Sequence, residues 1–156
     1  MKTRPRNSST HAQASAPAGH VPMARRITAG IVGGLAGGAV FGVLMAMMGM
    51  LPMIASLVGS DAAVVGLAVH LVISVLIGLG LTVPFAGMLS GLARSAVIGL
   101  AYGALWWLLG PLLLMPTMMG MPVFMIDAAA WVSLLGHLIY GIILGVSASA
   151  MLRGRR

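Results

Sequence analysis

The sequence contains no cysteine, and only 7% of its residues carry a charged side chain. Without cysteine the chain has no disulfide bond, no thiolate metal site and no cysteine nucleophile. Soluble domains carry about 25% charged residues, so this composition indicates a protein whose main solvent is not water.

Acidic residues are almost absent, which leaves the chain with a net charge of +7. A strongly basic chain can indicate nucleic-acid binding, but these lysines and arginines stand at the ends of long apolar runs. Basic residues in such positions orient helices in a membrane. We therefore expect no nucleic-acid partner, and we expect the lipid bilayer to surround the chain.

Apolar residues make up 60% of the chain and gather into runs long enough to cross a membrane. A transmembrane helix needs roughly 20 mostly apolar residues. The runs cover about 27–50, 62–83, 94–115 and 128–151. The sequence therefore predicts an all-α, polytopic membrane protein with a four-helix transmembrane domain over residues 27–152.

The first 26 residues are polar and basic, and three prolines interrupt them. Such a stretch cannot bury a core, so we predict that residues 1–26 form a disordered, basic cytoplasmic tail. A cleaved signal peptide fits poorly, because the apolar run that follows is too long and no small-x-small cleavage site ends it.

The basic residues also predict the orientation of the chain. In the four-helix arrangement, all lysines and arginines fall on one side, at Lys2, Arg4, Arg6, Arg25, Arg26, Arg94, Arg153, Arg155 and Arg156. The two acidic residues, Asp61 and Asp127, fall on the other side. The positive-inside rule assigns the basic side to the cytoplasm. We expect a bacterial inner-membrane protein with both termini in the cytoplasm.

Small residues recur at intervals of four along the predicted helices. This spacing places them on one helix face, where they let a neighbouring helix backbone approach closely. The positions expected to pack in this way are Gly30, Gly34, Gly38, Gly42, Ser74, Gly78, Gly99, Gly103, Gly141 and Gly145.

The two halves of the membrane domain repeat the same landmarks in the same order. A stripe of small residues is followed by three matching pairs, which are Pro52 with Pro116, Asp61 with Asp127, and His70 with His137. Each half contains two helices, so both copies insert in the same direction. We expect two parallel-repeat helical hairpins, at about 27–83 and 94–151, related by a pseudo-two-fold axis along the membrane normal.

His70 and His137 stand at equivalent positions in the two repeats and are expected near the membrane midplane. An ionisable side chain at that depth is a candidate functional site. Alternatively, each imidazole bonds a carbonyl or hydroxyl group across a tight helix contact. Two histidines at matched depth also suit haem ligation, although the small residues beside them leave little room for a macrocycle.

Ten of the fourteen methionines cluster at the non-cytoplasmic ends of the first and third predicted helices. Thioether sulfur is a soft ligand that suits Cu(I), whereas methionine is also a flexible apolar filler. The candidate metal ligands are Met45, Met48, Met50, Met53, Met115, Met118, Met119 and Met121.

Two segments in the second half carry a resemblance to other proteins. Residues 102–116 read YGALWWLLGPLLLMP, and residues 136–141 read GHLIYG. Both resemble segments of uncharacterised small four-span bacterial membrane proteins. The resemblance implies a bacterial origin and a membrane location, and it carries no activity.

These observations favour a non-enzymatic function. The leading hypothesis is a small inner-membrane protein that needs no cofactor and scaffolds a membrane complex or a homo-oligomer through its glycine-lined helix contacts. The alternative is a transporter or channel-like protein for a small solute or a metal ion such as copper, with His70 and His137 at its midplane site. A third hypothesis is a haem-binding electron carrier. A hydrolytic Ser133–His137 pair is not expected, because Asp127 lies too far along the helix to orient the imidazole.

The predicted topology can be tested with reporter fusions. Fusions after residues 57, 89, 120 and 156 are expected to report outside, inside, outside and inside, because the basic residues fix the orientation of each helix. Any other order of signals contradicts both the topology and the duplication.

Overall fold

The computed structural model describes residues 21–153, and every regular element in that range is helical. Short 3-10 turns follow the second and third helices, at Ser56–Val58 and Ala86–Met88, and a π-helical segment, Gly110–Leu114, joins the fourth to the fifth. The helices are α1 (Met23–Met47), α2 (Leu51–Ala55), α3 (Ala63–Phe85), α4 (Leu92–Leu109), α5 (Met115–Met118) and α6 (Ala128–Leu152). The all-α prediction is confirmed.

Four helical stretches among the described residues are long and apolar enough to cross a membrane. They are Met23–Met47, Ala63–Met88, Leu92–Met118 and Ala128–Leu152. Their outward faces carry exposed large apolar side chains, among them Val64, Leu76 and Val97, and in a bilayer these faces contact acyl chains. The protein is a multi-pass membrane protein, as the apolar runs predicted.

The first long helix begins at Met23, earlier than the predicted start at residue 27. The carbonyl of Pro22 accepts hydrogen bonds from the N–H groups of Arg25 and Arg26, at 3.0 and 3.2 Å, so these arginines belong to the helix. Nη1 of Arg26 also donates to the carbonyl of Val83 at 3.0 Å, near the end of α3, where carbonyl groups lack helical partners. The remainder of the predicted tail, residues 1–20, lies outside the described residues.

The four long helices pack in the order α3–α1–α6–α4. Helix α1 lies along both α3 and α6, and α4 lies along α6. Neighbours run antiparallel, since Gly30 near the start of α1 lies beside Thr82 near the end of α3, while Gly42 lies beside Leu67. By contrast, α3 and α4 make only sparse contact within the described part of the chain.

The charged residues divide between the two ends of this bundle. One end, which we call the basic end, carries Arg25, Arg26, Arg94 and Arg153 at helix starts and ends. The opposite end, which we call the acidic end, carries Asp61 and Asp127, immediately before α3 and α6. Because four helices cross the bundle, residues 21 and 153 lie at the same end.

Glycines on two faces of α1 allow it to pack closely against two helices at once. The predicted stripe of Gly30, Gly34, Gly38 and Gly42 faces α3, where a Cβ atom added at Gly34 would lie 2.6 Å from the Ser74 carbonyl oxygen. A second stripe, Gly33 and Gly37, faces Leu144 and Tyr140 of α6. Backbone contact of this kind is how membrane helices associate without a hydrophobic driving force.

The pair formed by α4 and α6 uses the same kind of contact. A Cβ atom added at Gly99 would collide with the carbonyl oxygen of Gly141, and one added at Gly141 would collide with that of Gly99. Gly103 lies against the carbonyl of His137 in the same way, and Gly145 lies against the carbonyl of Ser95. Both helix pairs therefore meet backbone to backbone.

The short helix α2 folds back against the acidic end of α3. Gly66 of α3 lies directly against the carbonyl of Leu51, and Leu51, Ile54 and Ala55 are buried. The stretch between the first two membrane-crossing helices is therefore packed on the bundle, which places its methionines beside α3.

The packing of α1 on α3 generates a stability prediction. Gly34→Leu is expected to lower the free energy of unfolding by about 1–3 kcal/mol, the usual cost of overpacking, because the new side chain would meet the backbone of Ser74 and Val75. Thermal unfolding in detergent measures the effect. Val32→Leu is the matched control, since Val32 is 44% exposed. Equal stability of the two variants would show that the stripe does not pack as described.

Candidate functional site

One cavity of the described residues lies between the helix pairs, on the side where α3 and α4 stand apart. It has a volume of about 290 Å³, close to the lower end of the range for small-molecule sites, about 300 Å³. Residues from α1, α3, the α4–α5 stretch and α6 line it. We call it the histidine cavity, because His70 and His137 both border it.

His70 reaches the cavity from α3, of which it is the eighth residue. Its Nε2–H donates to the carbonyl oxygen of Gly38 on α1 at 3.0 Å. Gly38 has no side chain to block this approach, and the helix contact that it permits brings its carbonyl within reach. In the uncharged imidazole, this bond leaves the lone pair on Nδ1.

His137 reaches the same cavity from α6, of which it is the tenth residue. Its Nδ1–H donates to the carbonyl oxygen of Ser133, one turn earlier in the same helix, at 2.8 Å. In the uncharged imidazole, this bond leaves the lone pair on Nε2. No hydrogen-bond partner for Nε2 occurs among residues 21–153. Both histidines lie towards the acidic end of their helices rather than at the exact centre.

The ring of Phe41 packs against both imidazoles. Its centroid is 5.2 Å from that of His70 and 4.8 Å from that of His137, and both pairs meet edge to face. This position is open because Gly136 of α6 has no side chain, and a Cβ atom there would collide with the Phe41 ring. The structure thus brings the predicted histidine pair together around a residue of α1.

Tyrosine hydroxyl groups form hydrogen bonds between helices on the basic side of the cavity. The hydroxyl of Tyr140 donates to the carbonyl of Ser74 at 2.6 Å, which connects α6 to α3. Nearer the basic end, the hydroxyl of Tyr102 donates to the carbonyl of Ile77 at 2.9 Å, which connects α4 to α3. Below these bonds Thr82, Ser95 and Leu144 are fully buried, so the bundle is closed towards its basic end.

Methionines from both predicted clusters meet at the acidic side of the histidine cavity. Five of the candidate ligands line it, namely Met45, Met50, Met53, Met115 and Met118. A second cavity of about 350 Å³ adjoins it and is bordered by Met50, Met53, Met115, Met119, Met121 and Met125. We call this second space the methionine cavity. Met48 lies outside both cavities, and Met125, not among the predicted ligands, borders the second.

The two cavities form one continuous lining. Met50, Met53, Pro111, Met115 and Ser133 border both of them. At its far side the methionine cavity reaches Asp127, at the acidic end of the bundle. Methionine side chains therefore line both cavities, from the acidic end of the bundle to the cavity that the imidazoles border.

All ten positions predicted for helix packing lie in contacts inside the chain. The glycines of the predicted stripe on α1 face α3, where Ser74 and Gly78 pack against them. Gly99, Gly103, Gly141 and Gly145 lie between α4 and α6. These residues are therefore covered by the protein's own helices.

The acid–base groups near the cavity are not arranged for hydrolysis. Ser133 Oγ lies 3.4 Å from Nδ1 of His137, but the carboxylate of Asp127 caps α6 and accepts a hydrogen bond from the N–H of Ala130 at 2.8 Å. The described residues also include no group of three histidine, cysteine, aspartate or glutamate side chains placed to hold a metal ion. A metal site here would need methionine sulfur.

Several residues that shape the site were not singled out in the sequence. Phe41 and Tyr140 read as ordinary apolar and aromatic residues of membrane helices. Gly33 and Gly37, directly before Gly34 and Gly38 of the predicted stripe, indicated a second packing face on the first helix. Gly136, directly before His137, indicated that a bulky side chain from another helix packs at that point.

The hydrogen bonds of the two histidines predict opposite tautomers. ¹⁵N NMR of the purified protein is expected to show the proton on Nε2 of His70 and on Nδ1 of His137, because each of these nitrogens faces a backbone carbonyl. His70→Phe and His137→Phe assign the two signals. The same tautomer in both residues would contradict the arrangement.

Comparison with known proteins finds no match to this chain. No family model matches the chain, and neither a curated protein nor a solved structure matches it. The resemblance of residues 102–116 and 136–141 to small four-span membrane proteins therefore stays a prediction.

Proposed function

We propose that this is a transporter or channel-like protein of non-enzymatic type, which receives a small solute or ion in the histidine cavity. The observation that supports it most directly is the shared lining of the two cavities. Side chains from both hairpins and both methionine clusters border two adjoining cavities that share five lining residues, and His70 and His137 border one of them.

The scaffolding hypothesis has less support, because the surfaces that it needs are covered. Scaffolding through glycine grooves requires that a partner helix lie against them. Gly34 and Gly38 lie against Ser74 of α3, and Gly99 lies against Gly141 of α6. A partner protein or a second copy of the chain would bind through the large apolar side chains of the outer faces.

A haem-binding function also has less support. Axial ligation by two histidines requires the iron and the macrocycle to lie between the imidazoles. The Phe41 ring packs edge to face against both imidazoles, with centroids 5.2 and 4.8 Å from theirs, and would have to move. His70 would also have to give up its bond from Nε2 to the Gly38 carbonyl to ligate iron through that nitrogen.

We assign the acidic end of the bundle to the non-cytoplasmic side of a bacterial inner membrane. The described arginines lie at the opposite end, where the positive-inside rule places the cytoplasm. In this orientation the methionine cavity faces outward. The closed half of the bundle, with Thr82, Ser95 and Leu144 fully buried, faces inward.

The proposed duplication explains why the cavity lies on one side only. With an offset of 65 residues, Gly33 and Gly37 of α1 correspond to Ile98 and Tyr102 of α4. The two glycines let α1 meet α6 closely, whereas the larger side chains hold α4 away from α3. The contact between α1 and α6 is thus closed, whereas the equivalent contact between α4 and α3 remains open and contains the cavity.

Thiol labelling tests whether the histidine cavity receives molecules from outside. The chain has no cysteine, so single replacements report one position each. We expect Ser133→Cys to react with a membrane-impermeant thiol reagent added from the non-cytoplasmic side, because Ser133 borders both cavities.

The matched control is Ser149→Cys, a serine of the same helix in the closed half, where it is fully buried. This variant is expected to remain unmodified under the same conditions. If the Ser133→Cys variant reacts no faster than the Ser149→Cys variant, the cavity is not accessible from outside, and the proposed function is wrong.

A further inference from the structure

We infer that the ligand of the histidine cavity is a soft monovalent metal cation, Cu(I), held by methionine thioethers and by Nε2 of His137. This inference rests on the proposed function and names the ligand class of the same site. It follows from the kinds of ligand atom that line the cavity and from those that the lining lacks.

The lining provides soft and borderline ligand atoms and lacks hard charged ones. Thioether sulfur comes from Met45, Met50, Met53, Met115 and Met118, and thioethers select Cu(I) among biological metals. Among residues 21–153, no carboxylate borders the histidine cavity, so it lacks the carboxylate ligands that Ca²⁺ and Mg²⁺ prefer. No lysine or arginine of that range borders it either, so an anion would find no opposite charge from these residues.

His137 supplies the nitrogen ligand, in the tautomer that leaves a ring nitrogen lone pair for the metal. Metal-bound histidines usually donate their other ring N–H to a carbonyl or carboxylate, which fixes the tautomer and orients the ring. The 2.8 Å bond from Nδ1 to the Ser133 carbonyl provides this second contact. It leaves the Nε2 lone pair for a ligand, and Phe41 packs edge to face against the ring at 4.8 Å.

A monovalent ion also suits a site surrounded by hydrocarbon. The Born cost of moving an ion out of water grows with the square of its charge, so a divalent ion meets about four times the penalty of a monovalent one. Imidazole and thioether ligands are neutral and do not offset a second charge. Methionine side chains have three rotatable bonds, which lets several sulfurs reach one ion inside a 290 Å³ space.

The methionine cavity supplies a route to this site. Met119, Met121 and Met125 border it at the acidic end and are exposed. Met50, Met53 and Met115 border both cavities, so an ion can exchange one thioether for the next as it moves inward. The two methionine clusters of the sequence act together in this arrangement.

Titration of the purified full-length protein with Cu(I), in anaerobic detergent against a chromophoric Cu(I) chelator, tests the inference. The protein is expected to compete for Cu(I). His137→Phe and Met115→Leu should each weaken binding by at least about tenfold, the size of effect seen when metal-site contacts are lost. X-ray absorption of the bound copper should show both sulfur and nitrogen neighbours.

Met47→Leu is the matched control, because Met47 belongs to the first cluster but is 81% exposed and borders neither cavity. Leucine replaces methionine with little change in volume, so Met115→Leu keeps the test valid even where His137→Phe fails to fold. Binding that both site substitutions leave unchanged would place the copper elsewhere, for example at His11 or His20, and would overturn the inference.

The labelling experiment separates this inference from the proposed function. If the Ser133→Cys variant is labelled from outside but the unsubstituted protein does not bind Cu(I), the Cu(I) inference is wrong and the receiving cavity stands. If the Ser133→Cys variant is not labelled, the proposed function is wrong and the inference falls with it.

Discussion

The close approach of α1 to two helices at once determines the rest of the structure. In a bilayer, apolar surface gains little by leaving lipid, so helices associate through tight backbone packing and hydrogen bonds. Glycines on two faces of α1 provide that packing against α3 and α6. The same closeness brings the Gly38 carbonyl to His70 at 3.0 Å and packs Phe41 against both histidines.

The cavity is the consequence of an interface that lacks such glycines. Under the proposed duplication, the α4 positions that match the second stripe of α1 hold Ile98 and Tyr102, and these larger side chains would keep α4 from lying against α3 as α1 lies against α6. Beyond Tyr102 the π-helical segment at Gly110–Leu114 interrupts the regular helix, and Pro111 within it lacks an N–H group to donate. Such interruptions occur frequently at functional sites, and here Gly110 and Pro111 line the histidine cavity.

The sequence predicts the helices and several helix contacts well, because both have strong physical signals. Long apolar runs determine the four membrane-crossing helices, and glycines at intervals of four mark faces that must be covered. It does not predict which helix covers which face. Membrane helices are apolar all round, so hydrophobic periodicity marks no inner face, and the choice between α3 and α6 as neighbours of a stripe depends on the whole bundle.

The site was predictable in its residue types and not in its shape. The depth of His70 and His137 follows from their positions along the apolar runs, and the methionine clusters follow from counting. That the histidines and methionines border the same cavity does not follow from the sequence. It depends on α2 folding back against α3 and on the Phe41 ring fitting over Gly136. These are matches between side chains far apart in the sequence, which neither local spacing nor composition encodes.

The contacts also indicate how the bundle would open towards its basic end. The α1–α3 and α4–α6 pairs meet backbone to backbone along several turns. Between the pairs, two tyrosine hydroxyl groups donate to carbonyl groups of α3, Tyr140 to Ser74 and, nearer the basic end, Tyr102 to Ile77. A side-chain hydrogen bond within a membrane contributes on average about 0.6 kcal/mol. Rotation of one pair about the α1–α6 contact would therefore need only these two bonds to break, and it would extend the histidine cavity towards the basic end.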